Sequence, residues 1–171
     1  MNAQDFKAAW EAGGDTVYRY TDDDFAVSQV PNEAEHFLTA AGLPTEAAPC
    51  LSFGKSSLDW VPEGALPEHL NSCLPIGSDG SGDPIVLDAE GTVLILDHDG
   101  GFEPRYVNKD VETLAEALLR YRELIAEAAQ DADFDGELPE VLRKRFADFL
   151  RQLDPQCLRP NHMWSGELRC L

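Results

Sequence analysis

The stretch CLPIGSDGSGDPIVLDAEGTVLILDHDGGFEPRYVN, residues 73–108, decides how this chain is read. Two apolar runs, Pro84–Leu87 and Thr92–Leu96, are joined by Asp88-Ala89-Glu90-Gly91. Ile85, Val86, Val93 and Ile95 are β-branched, which suits a pleated and buried surface. Gly91 supplies the positive φ that a tight hairpin turn requires. The spacing predicts a hairpin with a turn at Asp88–Gly91, set between two Gly/Asp-rich loops, Gly77–Asp83 and Asp97–Gly101. A further short strand is expected over Arg105–Asn108, so that the whole stretch forms consecutive antiparallel strands.

Outward from this centre the periodicity changes. Toward the N-terminus, Asp5–Ala12 places Phe6, Ala9 and Trp10 on one helical face, and Gly13-Gly14 stops it. Val17–Tyr20 reads as a short strand and Thr21-Asp22-Asp23-Asp24 as a charged turn. Pro31–Ala41 carries a stripe of Ala34, Phe37, Leu38 and Ala41 and ends at Gly42-Leu43-Pro44. Ala48–Gly54 reads as a strand bearing Leu51 and Phe53. Lys55–Leu70 is irregular, punctuated by Pro62, Gly64 and Pro67, and contains Trp60. Trp60 and Trp164 are read as core or lid residues rather than binding anchors.

Beyond residue 108 the chain turns helical. Val111, Leu114, Leu118, Tyr121, Leu124, Ile125 and Ala128 follow the 3.6-residue period, with Asn108 or Asp110 available as cap. This predicts one amphipathic helix over Val111–Gln130, laid on the sheet. A second helix is predicted from Leu138 to Leu153, with Val141, Leu142, Phe146, Phe149, Leu150 and Leu153 as its apolar residues. A short element after Asp154-Pro155 carries Leu158, Met163, Trp164 and Leu168. Strands joined by tight turns in the middle, with helices at both ends, predict an α+β fold. The sheet is expected to be central and mainly antiparallel, with two long helices near the C-terminus. With 171 residues and no break in composition, the chain is expected to form a single domain, 1–171.

Composition bounds function. Thirty-two Asp and Glu against 13 Lys and Arg give a formal charge of −19 and a pI near 4.3. Such a field repels phosphate backbones and anionic membrane surfaces and attracts basic partners. It also serves solubility alone in many acidic proteins. No apolar run approaches the ~20 residues of a membrane helix. The N-terminus lacks the basic and apolar regions of a secretory signal. Cytoplasmic residence is expected, with Cys50, Cys73, Cys157 and Cys170 as free, mostly buried thiols.

Site signatures are partial. Asp131-x-Asp133-x-Asp135-Gly136 matches the first half of a calcium loop, but its twelfth residue is Leu142 rather than a bidentate carboxylate. A connector, with Asp135 capping the next helix, is the expected role. Asp79-x-Ser81-x-Asp83 reaches Glu90 at the twelfth place, yet Pro84 replaces the required glycine. No structural metal and no cofactor are expected. Asp97-His98-Asp99 admits a carboxylate–histidine acid/base reading, against the simpler one of a polar turn. Gly77-x-Asp79-Gly80-x-Gly82 lacks the Lys-Ser/Thr of a phosphate loop, and its aspartates repel phosphate.

The run Leu74-Pro75-Ile76-Gly77-x-Asp79-Gly80-x-Gly82-Asp83-Pro84-Ile85-x-Leu87-Asp88 is followed by Gly91-x-Val93, then by Val107-Asn108 before a long helix. In this it resembles the SUKH superfamily. Gly42-Leu43-Pro44 fits that family's early GLP element. Asp154-Pro155 with Trp164 is similar to the SUKH-4 branch in particular. The likeness runs from about Glu33 to Trp164. It implies an α+β fold, no enzyme, and an immunity protein that binds and neutralises a cognate polymorphic toxin, often a nuclease or a nucleic-acid deaminase. The acidity suits a basic toxin, because surfaces that grip phosphates carry Lys and Arg. The expected partner-binding residues are Asp22, Asp23, Asp24, Asp79, Asp83, Asp97 and Asp99, all on turns. Two other readings stand beside this one: an enzyme using the Asp97–Asp99 loop, and a non-catalytic regulatory or scaffold module that binds another cellular protein.

Overall fold

The computed structural model describes residues 1–26, 28–132, 134, 136 and 138–170. Its centre is a six-stranded antiparallel sheet in sequence order: β3 (Glu46–Ala47), β4 (Leu51–Phe53), β5 (Leu74–Asp79), β6 (Pro84–Leu87), β7 (Val93–Asp97) and β8 (Glu103–Asn108). β1 (Val17–Tyr18) and β2 (Leu43–Pro44) pair separately, so the Leu-Pro that ends the second helix also starts a strand. The helices are α1 (Ala3–Glu11), α2 (Asn32–Ala40), α3 (Val111–Ala128), α4 (Glu140–Leu153) and α5 (Met163–Cys170).

The hairpin forms as its residues dictate. Ile85, Val86 and Leu87 pair with Ile95, Leu94 and Val93. The Asp88 side chain accepts from the amides of Glu90 and Thr92 at 3.0 and 2.7 Å, and Gly91 takes φ +85°. The meander has one strand more than the sequence indicates: Gly77 to Asp79, read as loop, completes β5. Gly77 is there for space. A Cβ on it would lie 2.0 Å from the Ser52 carbonyl oxygen of the neighbouring strand. Forcing that contact strains the backbone of both strands, so Gly77→Ala is expected to destabilise the fold by about 1–3 kcal/mol. Urea unfolding measures it, and an unchanged midpoint would contradict the close approach.

Side-chain alternation divides the sheet into two faces. Ile76, Ile85, Leu87, Val93, Ile95 and Val107 join the larger core with the helices. Val86, Leu94, Leu96 and Phe102 form a second core with Leu70, beneath an arm that supplies Leu58, Val61, Ala65 and Leu66. All four residues of β6 are buried for this reason. A strand covered on both faces reads as an apolar run rather than an alternation.

α3 spans 18 residues, about 27 Å at 1.5 Å per residue. Its cap is Asp110, whose side chain accepts from the Thr113 amide at 2.7 Å. Asn108, the other candidate, is spent elsewhere. Leu114, Leu118 and Tyr121 are buried. Arg122 ties α3 to α1 by donating to the carbonyls of Ala9 and Trp10, at 2.8 and 2.9 Å, with its guanidinium 4.1 Å over the Trp10 ring. α4 begins at Glu140 after Pro139, and Val141, read as apolar face, is 71% exposed. Leu142, Phe146 and Leu150 follow the helical repeat into the core; Val141, one position before Leu142, is rotated about 100° away from it.

Three residues of the family likeness, Asn108, Asp154 and Trp164, meet at the end of β8. Asn108 receives the Trp164 indole N–H on Oδ1 at 2.9 Å. Asp154, 2% exposed, accepts from the Tyr106 hydroxyl at 2.9 Å, the Lys109 amide at 2.9 Å and the Asn108 amide group at 3.4 Å. Each buried polar atom here has a partner, so these residues fasten β8 to the C-terminal helices. They are a structural joint, not a reactive group.

Candidate partner-binding site

In a meander of antiparallel strands, every second turn emerges at the same end. The β5–β6 turn (residues 80–83) and the β7–β8 turn (residues 98–102) therefore stand side by side, bringing Asp79, Asp83, Asp97 and Asp99 together. Asp83 links them. Its Oδ1 accepts from the His98 amide at 2.9 Å and lies 2.6 Å from His98 Nδ1. The histidine thus pairs with a carboxylate fifteen residues away rather than with Asp97, while Asp99 stands 3.5 Å from Nε2.

The four carboxylates have different duties. Asp79 Oδ1 accepts from the amides of Ser81 and Asp83 at 2.9 and 3.0 Å, and its Oδ2 lies 3.4 Å from the Arg105 guanidinium. Asp97 accepts from the Gly100 amide at 2.7 Å. Asp83 is buried. Asp79, Asp83 and Asp97 therefore hold their turns in shape. Asp99 has a different setting: its side chain is 93% exposed, with His98 Nε2 3.5 Å away.

Asp22, Asp23 and Asp24 lie on a 3-10 turn, Asp22–Phe25, at the other end of β5. Asp24 accepts from the Thr21 amide at 2.8 Å and its hydroxyl at 3.0 Å, and the Lys55 ammonium is 4.0 Å away. Asp23 and Asp24 line a cavity that also borders Leu74 and Pro75, where β5 begins. The predicted residues thus form two groups, at opposite ends of β5, rather than one cluster.

Between the groups runs the arm, and Trp60 is its prominent residue. The ring is 55% exposed and rests 5.7 Å from Phe102 in the β7–β8 turn, beside Asp99. Trp164, by contrast, is fully buried. Sequence reading grouped the two; the local signal that separates them is Trp60's polar, proline-punctuated surroundings, Asp59 to Glu63.

Charge is distributed unevenly. Residues 22–103 hold sixteen Asp and Glu and a single Lys or Arg, Lys55. The rest of the chain holds sixteen against twelve. Fifteen of the 19 excess negative charges thus belong to the Asp22–Phe25 turn, α2, the arm and the sheet with its turns, while the C-terminal helices are near balance.

His98 titrates above the ordinary histidine range, chiefly because Asp83 hydrogen-bonds its protonated ring; partial desolvation opposes this, and Asp99, Asp83 and Asp97 add charge attraction. A raised folded-state pKa contributes stability fully present below the unfolded value of about 6.5, and lost as pH rises through the folded one. Asp83→Asn is expected to return the His98 pKa toward about 6.5 and remove that slope. An NMR titration of the ring reads it, and an unchanged pKa in the variant would contradict the pairing.

Other chemistry finds little purchase. Burial pushes the Cys73 and Cys157 thiols up to about 11 and about 12, so neither is an activated nucleophile at neutral pH. Cys50, expected among mostly buried thiols, is exposed. Among the described residues no group of three or more His, Cys, Asp or Glu is placed to hold a metal ion. Of the Asp131–Gly136 stretch, Asp133 and Asp135 lie outside the described residues, and with them the expected Asp135 cap. No helix among the described residues is long and apolar enough to cross a membrane.

An antiparallel sheet buried on both faces, with the Asn108–Asp154–Trp164 joint where β8 meets the C-terminal helices, is the frame on which the family's sequence pattern falls. The family model described as SUKH-4 immunity protein matches residues 5–169 of the 171. The chain belongs to the SUKH-4 immunity protein family. No curated protein and no solved structure gives a match.

Proposed function

We propose that this chain is a non-catalytic immunity protein of the cytoplasm that neutralises a basic toxin, a nuclease or a nucleic-acid deaminase, by binding it. The binding surface is the acidic side of the sheet, from the Asp22–Asp24 turn across the arm to the Asp79, Asp83, Asp97 and Asp99 end. One observation carries the reading: residues 22–103, which include both acidic turns and the arm, hold sixteen carboxylates against one cation. A surface of one sign steers a partner of the other and presents the field that a nuclease's phosphate-binding groove is built to meet. Family membership supports the immunity role, and Asn108, Asp154 and Trp164 are spent on a structural joint.

The experiment is neutralisation. Cells expressing the toxin encoded next to this chain's gene are expected to survive only when the chain is co-expressed. Death in its presence would reject the reading. Steering is tested on the same pair. Asp97→Asn/Asp99→Asn keeps the amide-accepting oxygen of the turn while removing two charges. It is expected to slow association on the order of threefold at low salt, more than Glu123→Gln/Glu127→Gln on α3, and the difference should fade as salt passes ~0.15 M. Equal slowing by both pairs, or an association rate indifferent to salt, would reduce the acidity to solubility.

A further inference from the structure

The arm does not close fully on the sheet. It leaves a cavity of about 520 Å³ between itself, the 3-10 turn at Asp22–Phe25 and the start of β5. Leu58, Leu66 and Leu74 give it an apolar wall. Asp23, Asp59 and Glu63 stand exposed on its lining. The volume falls within the ~300–1,000 Å³ usual for sites that enclose a ligand. The resident cation, Lys55, is loosely held, 75% exposed and 4.0 Å from Asp24. Apolar walls under charged rims select an occupant that is apolar along its stem and cationic at its tip, which describes arginine and lysine side chains. A neutral apolar group would leave the carboxylates without a counter-charge, and an anion would be repelled.

We propose that this cavity seats one basic side chain of the partner protein, with the backbone that flanks it. The occupant's methylenes lie on Leu58, Leu66 and Leu74. Its charge lies among Asp23, Asp59 and Glu63, and it displaces Lys55 from the neighbourhood of Asp24. Arginine fits better than lysine, because its planar guanidinium engages two carboxylates at once and is less strongly hydrated. The proposal rests on the reading that the partner is a basic protein, and it supplies what charge alone does not: a shaped point of attachment that fixes register.

The test uses the intact chain and two small probes, L-argininamide and its neutral isostere L-citrullinamide, followed by amide NMR at low salt. Argininamide is expected to cause saturable shifts centred on Asp23, Ser57, Glu63 and Asn71, and citrullinamide is expected not to. Asp23→Asn/Glu63→Gln should weaken argininamide on the order of threefold to tenfold. Both residues are exposed, so the fold should be undisturbed, as the unchanged remainder of the spectrum would report. Lys55→Ala should tighten it by removing the competing cation. Three results would overturn the proposal: equal response to both probes, unsaturating shifts of like size at the Asp97–Gly101 turn, or no tightening in Lys55→Ala. Seating of argininamide by a chain that fails to neutralise the toxin would keep the cavity assignment and reject the immunity reading. Neutralisation without seating would do the reverse.

Discussion

Trp164→Ala is expected to lower the unfolding free energy by about 3–5 kcal/mol, a large part of the ~5–15 kcal/mol that holds a typical domain together. The indole is fully buried. Its ring centroid lies 5.8 Å from that of Tyr121 on α3 and 5.2 Å from that of Phe146 on α4. Truncation empties the space where α3, α4 and α5 converge, and the aromatic neighbours cannot collapse into it without leaving one another. It also strips Asn108 Oδ1 of its donor. Trp164→Phe keeps one aromatic ring in place but removes the N–H together with the five-membered ring. It should cost less than the alanine variant and at least the ~1–3 kcal/mol of leaving a buried acceptor unpaired. Urea unfolding of both variants measures the difference. A loss below about 1 kcal/mol for the alanine variant would mean that the C-terminal helices are fastened by something other than this joint.

Trp60→Ala is expected to do the opposite: little to stability, much to binding. With over half its surface in water, the ring gives the fold little beyond its contact with Phe102. An exposed tryptophan among carboxylates is the residue most suited to anchor a basic partner, by burying its face and by attracting cations to its ring. Loss of the anchor should cost at least about 2 kcal/mol of affinity, roughly a thirtyfold rise in Kd, while Tm stays nearly unchanged. Val141→Ala is the control, since Val141 is also exposed, at 71%, but lies on α4, away from the acidic side. Titration calorimetry against the toxin reads both. Equal affinities for Trp60→Ala and the unaltered chain would remove the arm from the interface.

How far the sequence revealed this fold follows from which residues act locally. The hairpin at Asp88–Gly91 and the helix from Val111 were legible because turn chemistry and period lie within a few residues of each other. The arm was not. Leu58, Val61, Leu66 and Leu70 share no period, and they acquire a role only once the sheet is seen to have a second face to cover. The run Pro84-Ile85-Val86-Leu87 held a hint of this, since a strand wet on one side alternates and this one does not. Val141 misled because its apolar letter adjoins Leu142, and adjacent positions on a helix do not share a face.

The candidate site was legible in composition but not in contacts. Acidic turns could be listed from the sequence; that Asp83 would meet His98 could not, because fifteen residues and two strands separate them. The alternation of turn ends in a meander places those two turns at one end, which is the signal that sequence reading left unused. Asp79, Asp83 and Asp97 read as equivalent to Asp99, yet Asp79 and Asp97 accept amides of their own turns, Asp83 accepts an amide of the neighbouring turn, and Asp99 is exposed beside His98 Nε2. The separation of the Asp22–Asp24 turn from the other group likewise depends on which end of β5 each one meets.

The central claim is that the acidic side of the sheet, not the helical side, receives the partner. Hydrogen exchange on the complex with the adjoining toxin tests it most directly. The account predicts slowed exchange on binding across residues 55–66 and 97–103 and over the Asp22–Phe25 turn, with α1, α3 and α4 exchanging as in the free chain. Protection centred on α3 or α4, with the arm and the two turns unchanged, would contradict it.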